Sequence, residues 1–294
     1  MKRMLFLLAL CLPLWAYAQE KQPAAEYLRR YNQLVQRVGP SGVGVETLLN
    51  KWEADWPEDV QQMLARFNFC FARSQSSRVI QLDRDRYMGQ EPLIPFTDSL
   101  GNKKNFFEDI EYDDELFAES LRAIDQAISA RPNRLDYRMA RIDALIAYEK
   151  DAPDMVLQAL KELADMQFKA KTPWELETLP TLDAAQFKAF MQDYCVALFR
   201  IGSDASLEAF RTFSEYLLTY CKDDPLFVNN LGSYYLVKRD YKKARKYIDK
   251  VLKKDPADET AQRNAILLSR AMKDKKLEKK YRDLMAKNAP KPVQ

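Results

Sequence analysis

Along almost the whole chain, apolar residues recur at three- and four-residue spacing, and that period dictates amphipathic helices. Examples are Tyr27, Tyr31, Leu34, Val35 and Val38; Val45, Leu48, Leu49 and Trp52; and Val60, Met63, Leu64, Phe67 and Phe71. Leu135, Met139, Ile142 and Ile146 form a later stripe, as do Phe187, Phe190, Met191, Tyr194 and Leu198. Prolines at 40, 57, 132, 153, 225, 256 and 290, mostly flanked by Asp, Glu or Asn, interrupt the stripes as stop and restart signals. The expectation is about a dozen helices of roughly 11–18 residues joined by short turns.

Two segments depart from that period. Between Tyr87 and Phe107, the apolar runs Leu93–Phe96 and Asn105–Phe107 flank the Asp/Ser/Gly/Asn stretch 98–102. That pattern predicts a small β-hairpin insert at about 87–107. It reads either as a packed structural loop or as a lip over a groove; Pro92 and Pro95 favour the first, in an edge position. From Lys169 to Thr181, Pro173 and Pro180 enclose Trp174. The chain divides loosely there, into degenerate helical repeats over 19–170 and cleaner ones over 171–294.

An internal period is clearest near the C-terminus. Pro225-Leu226-Phe227-Val228-Asn229-Asn230-Leu231-Gly232 is followed by Tyr235, Ala244, Ile248 and Pro256; Asn264 and Pro290 then repeat Asn230 and Pro256 at 34 residues. Gly232 and Ala244 are small where two helices of a hairpin would cross closely, and Pro256 ends the second helix. The segment resembles the tetratricopeptide repeat (TPR) family, which prefers Leu, Gly, Tyr, Ala, an aromatic and Pro at these positions. In the 259–290 unit Ser269 replaces the Tyr and Glu278 the Ala, which suits a polar terminal cap.

The resemblance implies an all-α, right-handed superhelical solenoid of antiparallel helix pairs whose concave face binds a protein or peptide, without catalysis. Family positions that face such a groove fall here on Leu226, Asn229, Asn230, Ser233 and Leu236, then on Thr260, Arg263, Asn264, Leu267 and Arg270. The dicarboxylate clamp of chaperone-binding members is not implied, since Thr260 and Asn264 do not supply its cations.

Composition narrows the chemistry. Hydrophobic residues make up 47% and charged residues 30%, which excludes global disorder. Histidine is absent and glycine numbers 7, so histidine-based catalysis, histidine-ligated metals and glycine-rich phosphate cradles lose their parts. Gly39-Pro40-Ser41-Gly42-Val43-Gly44 lacks the Lys-Ser/Thr of a phosphate loop and reads as a turn between helices. The acidic run Glu108, Asp109, Glu111, Asp113, Asp114 and Glu115 ends at an apolar stripe, so Asp113 to Glu115 read as a helix cap and first-turn acids. No calcium-loop spacing or G-x-S-x-G occurs; neither metal nor cofactor is expected.

Residues 1–18 have the form of a signal peptide: Lys2 and Arg3, an apolar stretch from Met4 to Trp15, then Ala16-Tyr17-Ala18. Cleavage after Ala18 and a periplasmic location in a Gram-negative envelope are expected. Lipidation at Cys11 is disfavoured by the bulky Leu10, and no later apolar run suggests a transmembrane span. Of the later cysteines, Cys70, Cys195 and Cys221 sit in or at the end of apolar-periodic helices and read as buried thiols. Charge is segregated: residues 238–294 hold 19 Lys/Arg against 8 Asp/Glu, while 19–237 hold 25 against 35.

The reading is an exported TPR scaffold for a protein partner, with an anionic envelope polymer as a further possible partner and no nucleic acid. The alternatives are a glycan- or lipid-binding module, with Trp174 as the best stacking candidate, and a hydrolase using a carboxylate pair.

Overall fold

A computed structural model describes residues 21–177 and 182–288. The expected signal peptide and Pro290 lie outside the described residues.

The described residues form twelve helices of 11 to 18 residues and one two-stranded antiparallel sheet. In order these are α1 (Ala24–Val38), α2 (Val45–Asp55), α3 (Val60–Ser74), β1 (Gln75–Leu82), β2 (Asn105–Tyr112) and α4 (Asp114–Ala130). Then follow α5 (Leu135–Glu149), α6 (Asp154–Phe168), α7 (Ala184–Ile201) and α8 (Asp204–Tyr220). The last four are α9 (Pro225–Val237), α10 (Tyr241–Lys254), α11 (Glu259–Ala271) and α12 (Lys275–Asn288).

The helices start where acids and prolines punctuate the sequence. Asp59, Asp113, Asp183, Asp224, Asp240 and Asp258 each accept a hydrogen bond from a first-turn backbone N–H. Pro225 occupies the first helical position of α9, where no backbone N–H is needed. The 34-residue period is written into these ends: Asp224 and Asp258 cap α9 and α11, while Asp240 and Asp274 receive first-turn N–H groups of α10 and α12. Arg239 and Lys273, one residue ahead of the latter pair, both adopt positive φ.

Helices pack mainly on their sequence neighbours, with further contact between alternate helices such as α1 and α3, α7 and α9, and α9 and α11. The α9–α10 pair closes over Gly232, where an added Cβ would lie 3.2 Å from Ile248 Cγ1 and 3.7 Å from Tyr247 Cβ. Ala244 and Ile248 are fully buried there, and Tyr235 stacks on Tyr247 with ring centroids 5.6 Å apart. Buried apolar side chains fall into three clusters, one in α1–α3, a large one from Phe67 to Tyr234, and one in α9–α12. The large cluster crosses the 169–181 gap without a break, and Glu175 exchanges backbone hydrogen bonds with Asn133 and Leu135.

The β-insert is larger than the sequence suggests. The main ladder pairs Gln75 with Tyr112 through Leu82 with Asn105, so β1 begins at the residue after α3. The expected pair of runs is present, but as a short addition on β2: Ile94 bridges Phe106 and Thr97 bridges Lys103, around a turn held by Asp98. β1 escapes sequence reading because no glycine or proline separates it from α3. It is also exposed from Gln75 to Val79 and so shows no alternating apolar pattern.

The hairpin is anchored through β2. Phe107 is buried, and Tyr112 packs on Phe71 and Phe117. Asp109, 3% exposed, accepts from Tyr87 Oη at 2.8 Å, Lys150 Nζ at 2.5 Å and Arg78 Nε at 3.0 Å. In the loop between the strands, Gly89 approaches α7 so closely that a Cβ would lie 2.8 Å from the Arg200 carbonyl oxygen.

Candidate functional site

Ten positions on α9 and α11 were expected to face a groove, and their environments differ. Asn229 and Asn230 are buried. Asn230 exchanges hydrogen bonds with Gln192 of α7 at 2.9 Å and donates to Ser214 of α8 at 3.2 Å. Asn229 donates to the cap residue Asp258 at 3.1 Å. Both therefore tie helix to helix and offer no exposed surface. Ser233 and Asn264 are half-buried and bonded to each other at 3.0 Å. Leu226, Thr260, Arg263, Leu267 and Arg270 are exposed, with Leu226 at 40% and Leu267 at 50%, while Leu236 is half-buried. Arg263 pairs with Glu259 and Arg270 with Glu278.

The asymmetry is testable. Asn230→Ala removes a buried side chain and leaves the half-buried Gln192 without its partner, so unfolding in urea should show a loss of about 2 kcal/mol. Thr260→Ala at an exposed position should stay within about 0.5 kcal/mol of the parent.

A cleft that sequence reasoning missed opens between α5 and α7. Met139, Asp143 and Ile146 line it from α5, and Phe190, Asp193, Tyr194 and Ala197 from α7, enclosing about 340 Å³. Each set lies on one helix face by its three- and four-residue spacing. The floor is apolar, and Tyr194 Oη reaches the Met139 carbonyl at 3.4 Å. Among the described residues neither Asp143 nor Asp193 has an ion-pair partner. Partial desolvation raises the Asp143 carboxyl above its ordinary value, offset in part by the neighbouring Tyr194 hydroxyl, while the residue as a whole stays exposed. Burial, with the Asp143 charge beside it, raises the Tyr194 hydroxyl in turn. The two stripes carrying these residues were visible as helices; which sides would be left facing each other was not, because that depends on how α5 and α7 diverge.

The other chemistry-bearing groups serve the fold. Trp174 is 4% exposed and stacks on Phe187, so the stacking candidate of the glycan alternative is inaccessible. Within the acidic run, Asp113 caps α4, Asp114 accepts from Tyr148, Glu111 pairs with Arg78 and Glu108 accepts from Ser77. Cys70, Cys195 and Cys221 are free thiols, and burial pushes Cys70 and Cys195 up to about 12. Among the described residues no group of three or more His, Cys, Asp or Glu is placed to hold a metal ion, and no helix is long and apolar enough to cross a membrane.

Comparison with known proteins gives no family for the chain: no family model matches it, and no match was found among curated proteins.

Proposed function

We propose that the chain is a TPR-like scaffold of antiparallel helix pairs, exported to the periplasm, that binds a protein or peptide partner without catalysing a reaction. The observation that carries this reading is the α5–α7 cleft, with its apolar floor of Met139, Ile146 and Phe190 bordered by Asp143 and Asp193. A peptide carrying a Lys or Arg next to apolar side chains would satisfy both features. Its cation would pair with Asp143 and Asp193, two exposed carboxylates that have no ion-pair partner among the described residues.

The test is a photocrosslinking side chain in place of Ala197, introduced into the full chain in its native cell envelope. A discrete protein adduct is expected, and the charge reversal D143K/D193K should reduce it at least about tenfold by replacing attraction with repulsion. An adduct that is indifferent to the reversal, or none at all, removes this reading. The glycan alternative loses its main support because Trp174 is enclosed.

A further inference from the structure

The outer face of the first helix pair is built differently from the α5–α7 cleft. An open groove of about 450 Å³ runs between α1 and α2. Arg30, Gln33, Leu34 and Arg37 line it from α1, and Gly44, Thr47, Leu48 and Lys51 from α2. It lies on the side of the pair that the core residues Tyr27, Tyr31, Val45, Leu49 and Trp52 do not use.

Charge is sorted between the two sides. The two helices hold four cations (Arg29, Arg30, Arg37, Lys51) and four acids (Glu26, Glu46, Glu53, Asp55). Three of the cations and none of the acids line the groove. Three of the acids are engaged elsewhere, Glu26 with Arg29, Glu53 with Arg66 of α3 and Asp55 with Tyr27; the fourth, Glu46, is exposed in the first turn of α2 and outside the lining. Among the described residues Arg37 and Lys51 have no ion-pair partner, and Arg30 has only the neutral Gln22 at 3.0 Å.

The groove has two positive ends. α1 and α2 run antiparallel through the 39–44 turn, so Arg30 falls beside Lys51, and Arg37 beside Gly44 and Thr47. Seven helical residues separate Arg30 from Arg37, which is about 10 Å along the axis. Leu34 and Leu48 lie between the two ends. At the Arg37 end α2 begins on Gly44, a cap with no side chain to offer; the Val45 N–H goes to the Gly42 carbonyl at 3.3 Å, and the Glu46 and Thr47 N–H groups are left without a side-chain cap, beside the first-turn acid Glu46.

We propose that this groove binds a small polyanion bearing phosphoryl groups about 10 Å apart, one held by Arg30 and Lys51 and the other by Arg37, Thr47 and the start of α2. Two cations at one end match a phosphate dianion better than a single carboxylate. The glycine-containing turn thus serves an anion without forming a nucleotide-binding loop. This inference does not depend on the peptide cleft.

Calorimetric titration of the full chain with linear pentaphosphate tests it, with orthophosphate as the single-anion comparison. Pentaphosphate should bind at least about tenfold tighter than orthophosphate. The double reversal R37E/K51E should abolish that binding, whereas R37K/K51R should retain most of it, with circular dichroism showing all variants folded. K253E/K254E on the distant α10 should leave it unchanged. Equal affinity for the two phosphates, or equal loss in both charge-reversed variants, overturns the proposal in favour of diffuse attraction. Binding confined to phosphatidylglycerol vesicles, with none to pentaphosphate, also overturns it.

Discussion

Replacing Gly232 with leucine should cost about 3 kcal/mol of folding stability, while Gly232→Ala should stay within about 1 kcal/mol of the parent. The first added carbon already meets Ile248 Cγ1 at 3.2 Å, so Ile248 must yield by a few tenths of an ångström. For alanine that strain opposes the roughly 1 kcal/mol gained by removing glycine from a helix interior. A leucine has no such remedy, because Ile248 is fully buried and the Tyr235–Tyr247 stack stands beside it. It must drive α9 and α10 apart and open the cluster containing Val228, Ala244 and Ala265. Urea denaturation of the two variants measures the difference. A Gly232→Leu protein as stable as the parent would mean that the two helices do not need their close approach.

Asp109→Ala should lower stability by about 3 kcal/mol and free the hairpin. The variant leaves Lys150, Tyr87 and Arg78 facing a site with no negative charge. Limited proteolysis should then cut between Asp83 and Lys104 faster than in the parent. The effect also has a pH signature. Burial by itself would raise the Asp109 carboxyl, but hydrogen bonds from Lys150, Tyr87 and Arg78 outweigh it and hold the group below its ordinary value. Its folded-state pKa is therefore lower than its unfolded one, near 3.9. The stabilisation is complete above about pH 4 and is lost as pH falls toward the depressed folded value. Parent and Asp109→Ala should accordingly converge in stability in strong acid and differ fully at neutral pH. A constant difference across that range would contradict the buried ion cluster.

The helices were legible because most carry a three-four stripe and an Asp, Ser or Pro at the start. The close approach at Gly232 was legible for a similar reason: glycine amid Leu231, Tyr235 and Ile248 marks a point where bulk is excluded. Strand β1 was not, since both its faces meet solvent near Arg78 and Val79 and burial imposes no pattern on it. The polar residues were hardest to place. Asn229 and Asn230 look like binding-face residues in sequence, yet a buried asparagine bonded to a neighbouring helix carries the same letter as an exposed one. Asp143 and Asp193 stood unremarked within stripes because the cleft between them arises from the angle of two helices, which neither stripe encodes. At α1 and α2 charged letters of both signs are mixed along the chain. Only the helical turn sorts Arg30, Arg37 and Lys51 onto one side.

Because most helices lean on the next, with α6 reaching past α7 to α8, little among the described residues holds α1 to α12. Loosening at one extremity need not propagate, since the small cluster of α1–α3 and that of α9–α12 are separated by the long central one. Amide exchange should therefore be graded along the chain, fastest in α12 and slowest around Leu145, Met191 and Phe213. A tether pulling on opposite termini would peel it stepwise, like a zip fastener, rather than rupture it at once.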